Sequence, residues 1–453
     1  MTPSTDLLSA TEYRATISAS VENATGGNPL TTDFVWSFTI SPATALVSKD
    51  LEAVVGNDVS TRSAIDASGR FVVFESEATN LVSAVTTLNR SHIYRKDTVS
   101  GDVVLVSSDA AGLEANNDSF SPRISDDGRY VVFESTATNL DSAISSAGIS
   151  QIYLKDLANG SITLVSRSAS LAPDNSITGA SNADVSNDGR FIVFQSADND
   201  LSAINGGATV QIYLKDMNDE SVDMISRTNF SAAGNGSSSN PYISPDGRFI
   251  VFESRATNLT SSNGFRHIYL VDTSVSHAVE QISVTTAGTE ATADNSNPSV
   301  SDNGTIVVFD SIAVLDSGDS NGTTDVYYRD RTSPLTALVS VSPSTGFSGN
   351  GASAFARISG NGNHVAFESL ASDFVIEGIL GFKDIFVRDL SQNPSIEIVK
   401  VSLAQSGNEA TSDSSNPAIS ADGRYVSFDS VFSFDVTDTN TINDVYRAHN
   451  STF

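Results

Sequence analysis

Residues 125–135 read SDDGRYVVFES, and six close variants of this stretch occur elsewhere in the chain. They are DASGRFVVFES at 66–76, SNDGRFIVFQS at 186–196, SPDGRFIVFES at 244–254, SDNGTIVVFDS at 301–311, SGNGNHVAFES at 359–369 and SADGRYVSFDS at 420–430. The glycines at the centre of successive copies lie 57 to 61 residues apart. A repeat of this length is typical of proteins built from one supersecondary unit used many times.

Each repeat carries the pattern of four short β-strands. The Asp-Gly or Asn-Gly pair favours a tight turn, because these residues tolerate positive φ. In the second repeat an apolar strand ending at Phe133 follows the turn, and further strands are predicted over 151–156 and 164–166. No segment keeps a 3.6-residue apolar period, so helices should be few. Seven four-stranded sheets that pack against their neighbours predict an all-β fold, a seven-bladed β-propeller.

The two ends of the repeat region complete each other. The seventh repeat stops after its third strand, over 444–447, whereas an extra strand of the fourth type, over 45–48, precedes the first repeat. We therefore predict that the N-terminal strand completes the seventh blade and leaves no open sheet edge at the seam.

The repeats resemble those of the TolB-like, WD-type β-propeller family, in which a Ser-x-Asp-Gly-Arg turn precedes an apolar strand. The resemblance begins near residue 43 and implies a propeller domain over 42–453. It does not define an activity, because propellers serve as binding proteins, scaffolds, lyases and peptidase-associated modules.

Residues 1–41 do not follow the repeat. Two alternating segments, 13–18 and 34–40, flank a Gly-Asn-Pro turn, which favours the edge of a β-sandwich. They resemble the C-terminal half of a bacterial Ig-like domain of the S-layer type, whose last strand carries a similar Trp-Ser-Phe-Thr. We expect a partial Ig-like domain here, in a protein that extends upstream. The alternative is a segment that caps the propeller.

Composition narrows the classes of partner. Asp and Glu total 54 against 25 Lys and Arg, which gives a formal charge of −29. This excess argues against nucleic acid and anionic membranes, because both are bound through basic residues. No apolar run is long enough to span a bilayer, and the chain has no cysteine for disulfides, zinc-thiolate sites or nucleophilic catalysis. We expect a monomeric module of a longer chain, located in the periplasm, at the cell surface or outside the cell.

One polar position recurs just before the apolar pair of each third strand. The strand order places its side chains at the end of the ring where the loops between second and third strands meet the inter-blade connections. They are His92, Gln151, Gln211, His267, Asp325, Asp384 and Asp444. Two interpretations are open. The seven residues are a ligand-facing ring on this loop face, or each one fixes its own loop.

The loops of the fifth and seventh repeats carry closely spaced oxygen ligands. They are Asp316, Asp319, Asn321 and Asp325 in the fifth repeat, and Asp435, Asp438, Asn440 and Asp444 in the seventh. Hard oxygen ligands at this spacing are those that Ca²⁺ prefers, although the full EF-hand pattern is absent. Calcium is the one cofactor that the sequence suggests. The alternative is a pair of Asx-turn loops that need no metal.

A third position follows the phenylalanine that ends each apolar strand. It is acidic in six repeats and Gln in the other, as Glu75, Glu134, Gln195, Glu253, Asp310, Glu368 and Asp429. The third strands supply Lys96, Lys155, Lys215, Val271, Arg329, Arg388 and Arg447. Opposite charges on adjacent strands predict cross-strand pairing within each blade. Because the carboxylates recur in six of the seven blades, they do not indicate a single glycosidase site.

No catalytic cluster stands out in the sequence. The five histidines fall at scattered repeat positions, and a Gly-x-Ser-x-Gly motif is absent. We predict a non-catalytic binding or adhesion propeller that recognises a protein or glycan through its loop face. One alternative is a carbohydrate-active lyase or hydrolase, which would require a sugar-lined cleft and one blade that departs from the others in its polar residues. The other is a structural spacer in a larger surface protein.

Overall fold

The computed structural model describes residues 12–17, 34–39, 44–141, 148–167, 179–207, 209–229, 231–260, 262–275, 277–375, 381–391, 397–404 and 410–450. Within these ranges the chain forms β-strands β1 to β30, and no helix is long and apolar enough to cross a membrane. Seven antiparallel sheets of four strands each form the blades of a propeller. The predicted all-β, seven-bladed architecture is confirmed.

The first four blades use consecutive strands. Blade 1 contains β4 (Ser60–Ile65), β5 (Phe71–Ser76), β6 (His92–Asp97) and β7 (Val103–Leu105). Blade 2 contains β8 (Ser119–Ile124), β9 (Tyr130–Ser135), β10 (Gln151–Asp156) and β11 (Ile162–Leu164). Blade 3 contains β12 (Ala180–Val185), β13 (Phe191–Ser196), β14 (Gln211–Asp216) and β15 (Val222–Met224). Blade 4 contains β16 (Ser238–Ile243), β17 (Phe249–Ser254), β18 (His267–Asp272) and β19 (Ala278–Gln281).

The remaining blades follow the same order, with one exchange at the end. Blade 5 contains β20 (Asn295–Val300), β21 (Ile306–Ser311), β22 (Asp325–Asp330) and β23 (Leu335–Leu338). Blade 6 contains β24 (Ser353–Ile358), β25 (His364–Ser369), β26 (Asp384–Asp389) and β27 (Glu397–Lys400). Blade 7 contains β28 (Ser414–Ile419), β29 (Tyr425–Ser430) and β30 (Asp444–His449), and its outer strand is β3 (Thr44–Leu46).

The seam therefore forms as predicted. β3 pairs antiparallel with β30, with Leu46 opposite Tyr446. Just beyond the strand, the Ser48 hydroxyl donates a hydrogen bond of 2.6 Å to the Asp444 carboxylate, and the Val47 N–H donates to the Val445 carbonyl at 2.8 Å. The N-terminal strand thus covers the outer edge of the last blade.

Each interface between blades buries an apolar cluster, and at six of the seven the turn glycine lies against a ring of the preceding blade. The glycine of the turn between first and second strands has positive φ in all seven blades, for example 69° at Gly304. A Cβ atom on Gly304 would lie 2.6 Å from the ring of Phe249 in the preceding blade. Glycine is therefore required at Gly304 both by the backbone conformation and by packing against the preceding blade.

The side chains after the strand-ending phenylalanines connect blades to each other. Each one accepts a hydrogen bond from a backbone N–H on the inner strand of the following blade; the Asn182 N–H donates to Glu134 at 2.8 Å and the Asn297 N–H donates to Glu253 at 2.8 Å. We call these seven the linking residues: Glu75, Glu134, Gln195, Glu253, Asp310, Glu368 and Asp429. They stabilise the ring across each blade interface.

The predicted pairing of these acids with the basic residues of the third strand is wrong. In blade 1, Glu75 lies opposite Ile93, whereas Lys96 lies opposite Val72. Three residues of strand separate the two charges, roughly 10 Å. Lys96 instead donates to backbone carbonyls, including that of Lys49 at 2.8 Å. In addition, Arg447 lies one register position earlier than the other members of its predicted set, because Ala448 occupies the place of Lys96.

The N-terminal segment contains an antiparallel pair of strands, β1 (Glu12–Ile17) and β2 (Phe34–Thr39). Both fall where the alternating sequence predicts strands. The Gly-Asn-Pro turn between them lies outside the described residues, and the Ig-like domain over 1–41 stays a prediction.

Candidate functional site

The two ends of the ring are formed by different loops and turns. The loops between second and third strands and the connections between blades lie at one end, where Ser60, Ser76 and His92 meet in blade 1. We call this end the loop face. The Asp-Gly turns lie at the opposite end, which we call the turn face. The central channel runs between them and is lined by the inner strand of every blade.

The structure places the predicted ring of polar residues beneath the loop face. All seven are buried at the first residue of the third strand, and each contacts a serine hydroxyl of its own blade's outer strand region; that of Ser340 donates to Asp325 at 2.7 Å. The equivalent contacts involve His92, Gln151, Gln211, His267, Asp384 and Asp444. These contacts join the third strand to the outer strand region of the same blade, and the interpretation in which each residue fixes its own loop also stays open. Ligand binding by these residues stays a prediction.

The predicted calcium loops use most of their oxygen atoms on the protein itself. Asp316 accepts the Gly318 N–H, Asn321 accepts the Thr323 N–H, and Asp319 accepts the Tyr327 hydroxyl at 2.6 Å. In blade 7, Asp435 accepts the N–H groups of Leu46 and Thr437. Asp438 accepts the Tyr446 hydroxyl, and Asn440 accepts the Ile442 N–H. Among the described residues, no three His, Cys, Asp or Glu side chains converge as a metal would require. Calcium binding stays a prediction.

An apolar surface occupies part of the loop face. The residue after the last serine of each second strand is Glu77, Thr136 and Arg255 in blades 1, 2 and 4, but Ile312, Leu370 and Val431 in blades 5, 6 and 7. Those three are 52%, 44% and 46% exposed. Phe355 on the inner strand of blade 6, at 41%, and Val59, which precedes the inner strand of blade 1, at 37%, are exposed as well. We call these five residues the apolar arc.

The inner strand of every blade contains a β-bulge at the same place. The register with the second strand shifts there, and a residue with φ of 49° to 56° follows. It is Asn in four blades, a residue that tolerates this conformation. The full set is Arg62, Ser121, Asn182, Asn240, Asn297, Phe355 and Asn416. These are the residues whose N–H groups bind the linking residues, so the bulge and the blade interface depend on each other.

Two residues after the positive-φ residue of the bulge, the side chains along the channel differ from blade to blade. We call this position the channel ring; it is held by Ala64, Arg123, Asp184, Tyr242, Ser299, Arg357 and Ala418. Six of these residues, all except Ser299, line a cavity of about 530 Å³. Two arginines, a carboxylate and a phenol thus replace the small residues of the other blades.

The charged members of the channel ring influence one another. Burial raises the pKa of Asp184 to about 6, although the positive charges of Arg123 and Arg357 oppose the shift. Burial and the positive charge of Arg123 lower the pKa of Arg357. Nearer the turn face, burial and the charge of Asp302 raise the pKa of Asp126 to about 7.

Sequence reasoning missed the channel ring, although a signal was present. Each member lies five residues before the turn glycine of its repeat, so aligned repeats show the departure directly. What the sequence did not show is that this position faces the channel. The bulge resets the alternation of side chains along the inner strand.

Comparisons with known proteins agree with this architecture. No family model and no curated protein matches the sequence. Among solved structures, an oligogalacturonate lyase from Vibrio parahaemolyticus matches with a TM-score of 0.54 at 11% identity, over 97% of each chain. An oligogalacturonate lyase in complex with manganese matches with a TM-score of 0.51 at 10% identity, over 98% of each chain. These matches show the fold.

TolB from Acinetobacter baumannii is also similar in structure, with a TM-score of 0.38 at 17% identity. The match covers 65% of this chain and 63% of the TolB chain, so it spans less than two thirds of that protein. The propeller that the TolB-like resemblance implies is the part that the structure confirms.

Proposed function

We propose that this chain is a non-catalytic binding module that recognises a protein through its loop face, in the periplasm, at the cell surface or outside the cell. The apolar arc is the observation that supports this function. A glycan is the other class of ligand that the sequence suggested, and the test below distinguishes the two.

The arc favours a protein because of its composition. Exposed apolar residues that occur singly are ordinary, whereas several on adjoining parts of one surface are typical of interaction sites. Ile312, Leu370 and Val431 occupy one repeat position in consecutive blades and offer methyl groups, and Phe355 is the one aromatic residue of the arc. The net charge of −29 further favours a partner with basic residues around an apolar centre.

The test uses two triple variants at the same repeat position. Ile312→Ser/Leu370→Ser/Val431→Ser removes the centre of the arc, and Glu77→Ser/Thr136→Ser/Arg255→Ser is the matched control in blades 1, 2 and 4. A peptide library displayed on phage is selected against the wild-type protein, and the affinity of the enriched peptides is then measured on all three proteins. We expect peptides with apolar and basic residues that bind the arc variant at least about tenfold more weakly and the control equally.

Peptides that bind the arc variant and the wild type with equal affinity would contradict the proposed surface. An array of neutral oligosaccharides gives the second readout. Oligosaccharide binding that is lost in the arc variant would show that the ligand is a glycan instead.

One observation favours a second candidate function, a carbohydrate-active lyase or hydrolase. The channel ring departs from the repeat in blades 2, 3, 4 and 6 and places charged and polar side chains along the cavity, where they could contact a polysaccharide. A turnover screen on acidic and neutral polysaccharides tests it. Our primary proposal predicts no turnover, and turnover that disappears in Asp184→Asn would establish the enzyme.

A further inference from the structure

We propose that Arg123 and Arg357 bind a small monoanionic carboxylate inside the central channel. This site shares Phe355 alone with the apolar arc and does not depend on the function proposed above. The two arginines come from blades 2 and 6, which lie on different sides of the seven-membered ring, and both line the cavity of about 530 Å³. A cavity of this size lies within the usual range for small-molecule sites.

Both guanidinium groups are free to bind a ligand. Each is half-buried, and in the described structure each donates only to the carbonyl of the preceding residue, Arg123 to Pro122 at 3.0 Å and Arg357 to Ala356 at 2.8 Å. Neither forms an ion pair within the described residues. By contrast, Arg129 binds both carboxylate oxygens of Asp156. Two guanidinium groups with most of their N–H donors unused are the usual means of holding a carboxylate.

The charge balance at this level of the channel favours a monoanion. Asp184 lies among the two arginines, where it accepts the Ile243 N–H at 3.0 Å. Glu134 also lines the cavity and interacts with Arg123, and Asp310 interacts with Arg357, so nearby carboxylates already offset much of the positive charge. The arginines therefore favour a ligand of low charge, such as a carboxylate, over inorganic phosphate, which is largely a dianion at neutral pH.

The ligand should enter from the loop face. At the turn face, neighbouring Asp-Gly turns hydrogen-bond to one another around the channel, for example Asp302 N–H to the Gly360 carbonyl at 3.0 Å and Ala421 N–H to the Ala67 carbonyl at 3.1 Å. Asp126 and Asp302 also line the cavity at that end and would repel an anion. The carboxylate therefore lies on the loop-face side of the arginines, beside the Asn-Pro segments of blades 4, 5 and 7.

A carboxylate of this size has two natural sources, a sugar acid or an acidic side chain. Isothermal titration calorimetry on the whole chain distinguishes them with matched probes. Glucuronate is compared with glucose and with glucosamine, and the peptide Gly-Gly-Glu-Gly-Gly with its Gln counterpart, both blocked at the termini. We expect binding of glucuronate, of the Glu peptide, or of both, and none of the uncharged or cationic counterparts. Equal heats for each acid and its neutral counterpart, binding of glucosamine alone, or tighter binding of inorganic phosphate would overturn the proposal.

Variants then assign the binding to the two arginines. Arg123→Gln and Arg357→Gln should each weaken carboxylate binding at least about tenfold, because each removes a charged pair of donors. Arg255→Gln removes the same charge from the rim of the loop face and should leave the affinity unchanged. Arg357→Lys retains the charge but not the planar fork, so it should bind with an intermediate affinity. It also provides a folded variant if the Gln substitutions unfold the ring.

The two proposals fail separately. The triple variant of the apolar arc should retain carboxylate binding, and the arginine variants should retain the selected peptides that carry no acidic residue. Unchanged carboxylate affinity in both Arg123→Gln and Arg357→Gln would refute the channel site and leave the arc proposal intact.

Discussion

The interfaces between blades and the channel ring use the same seven repeats in opposite ways. At the interfaces, the turn glycine, the bulge and the linking residue recur in every blade, and each linking residue accepts a hydrogen bond from the bulge of the next blade. Two residues beyond the bulge, the side chains range from Ala64 to Arg357. The difference teaches that positions conserved in type from blade to blade stabilise the ring. The channel ring, whose residues vary between blades, is the position that we propose binds a ligand.

The largest effect should come from breaking the ring at its seam. Deletion of residues 45–48 removes the outer strand of blade 7 and exposes the edge of β30, so the protein should unfold at a much lower temperature or form oligomers. Thermal unfolding and size-exclusion chromatography measure both outcomes. An unchanged melting temperature with monomeric elution would show that the seam contributes little.

The loss of stability on replacing a turn glycine should depend on the atoms that the added Cβ would contact. Gly304→Ala places a methyl group against the Phe249 ring in addition to the strain of positive φ, and should lower the free energy of unfolding by about 3 kcal/mol. Gly362→Ala, where the nearest side-chain atom lies 3.4 Å away, should lower it by only about 1 kcal/mol. Urea unfolding compares the two variants. Equal losses would mean that inter-blade packing against the turn is unimportant.

The stabilising effect of a linking residue should depend on its hydrogen-bond acceptor and not on its negative charge. Glu134→Ala leaves the partly buried Asn182 N–H without this partner and should lower the free energy of unfolding by about 2 kcal/mol. Glu134→Gln should lower it by less than about 1 kcal/mol, because Gln195 makes the same contact in blade 3. A larger loss in Glu134→Gln than in Glu134→Ala would contradict the role assigned to these residues.

Replacing Asp325 should change the free energy of unfolding by a smaller amount, and the change should depend on pH. Burial raises the pKa of Asp325 to about 7, so the folded state holds its proton more tightly than the unfolded chain. Its contribution to stability is therefore present near pH 4 and declines as the pH rises through 7. Asp325→Gln, which copies Gln211 of blade 3, should remove about 1 kcal/mol or more of the loss between pH 5 and pH 8.

Urea unfolding at the two pH values measures this change in slope. Asp102→Asn, at an exposed aspartate, is the control and should leave the slope unaltered. A slope in Asp325→Gln equal to that of the wild type would show that Asp325 does not titrate as its burial indicates.

The sequence was sufficient for the architecture because the repeat is local. The Gly-centred turns predict the number of blades, and the surplus strand before Ser60 predicts the seam. The side-chain partners of Glu75 and Lys96 were not predictable, since the residues that lie opposite them depend on a strand register that the turn sets. The channel ring was missed because a positive φ at residues such as Arg62 and Phe355 has no signature in their side chains.

The central claim is that the channel ring serves binding while the repeated positions serve stability. The triple variant Arg123→Ala/Asp184→Ser/Arg357→Ala tests it most directly, because it restores residues found at the same position in other blades, Ala64, Ala418 and Ser299. Glucuronate and the Glu peptide are titrated into the variant and into the wild type, after thermal unfolding of both. The account predicts an unchanged melting temperature and no detectable binding of either probe to the variant. A variant that unfolds early, or one that binds the carboxylate as the wild type does, would contradict it.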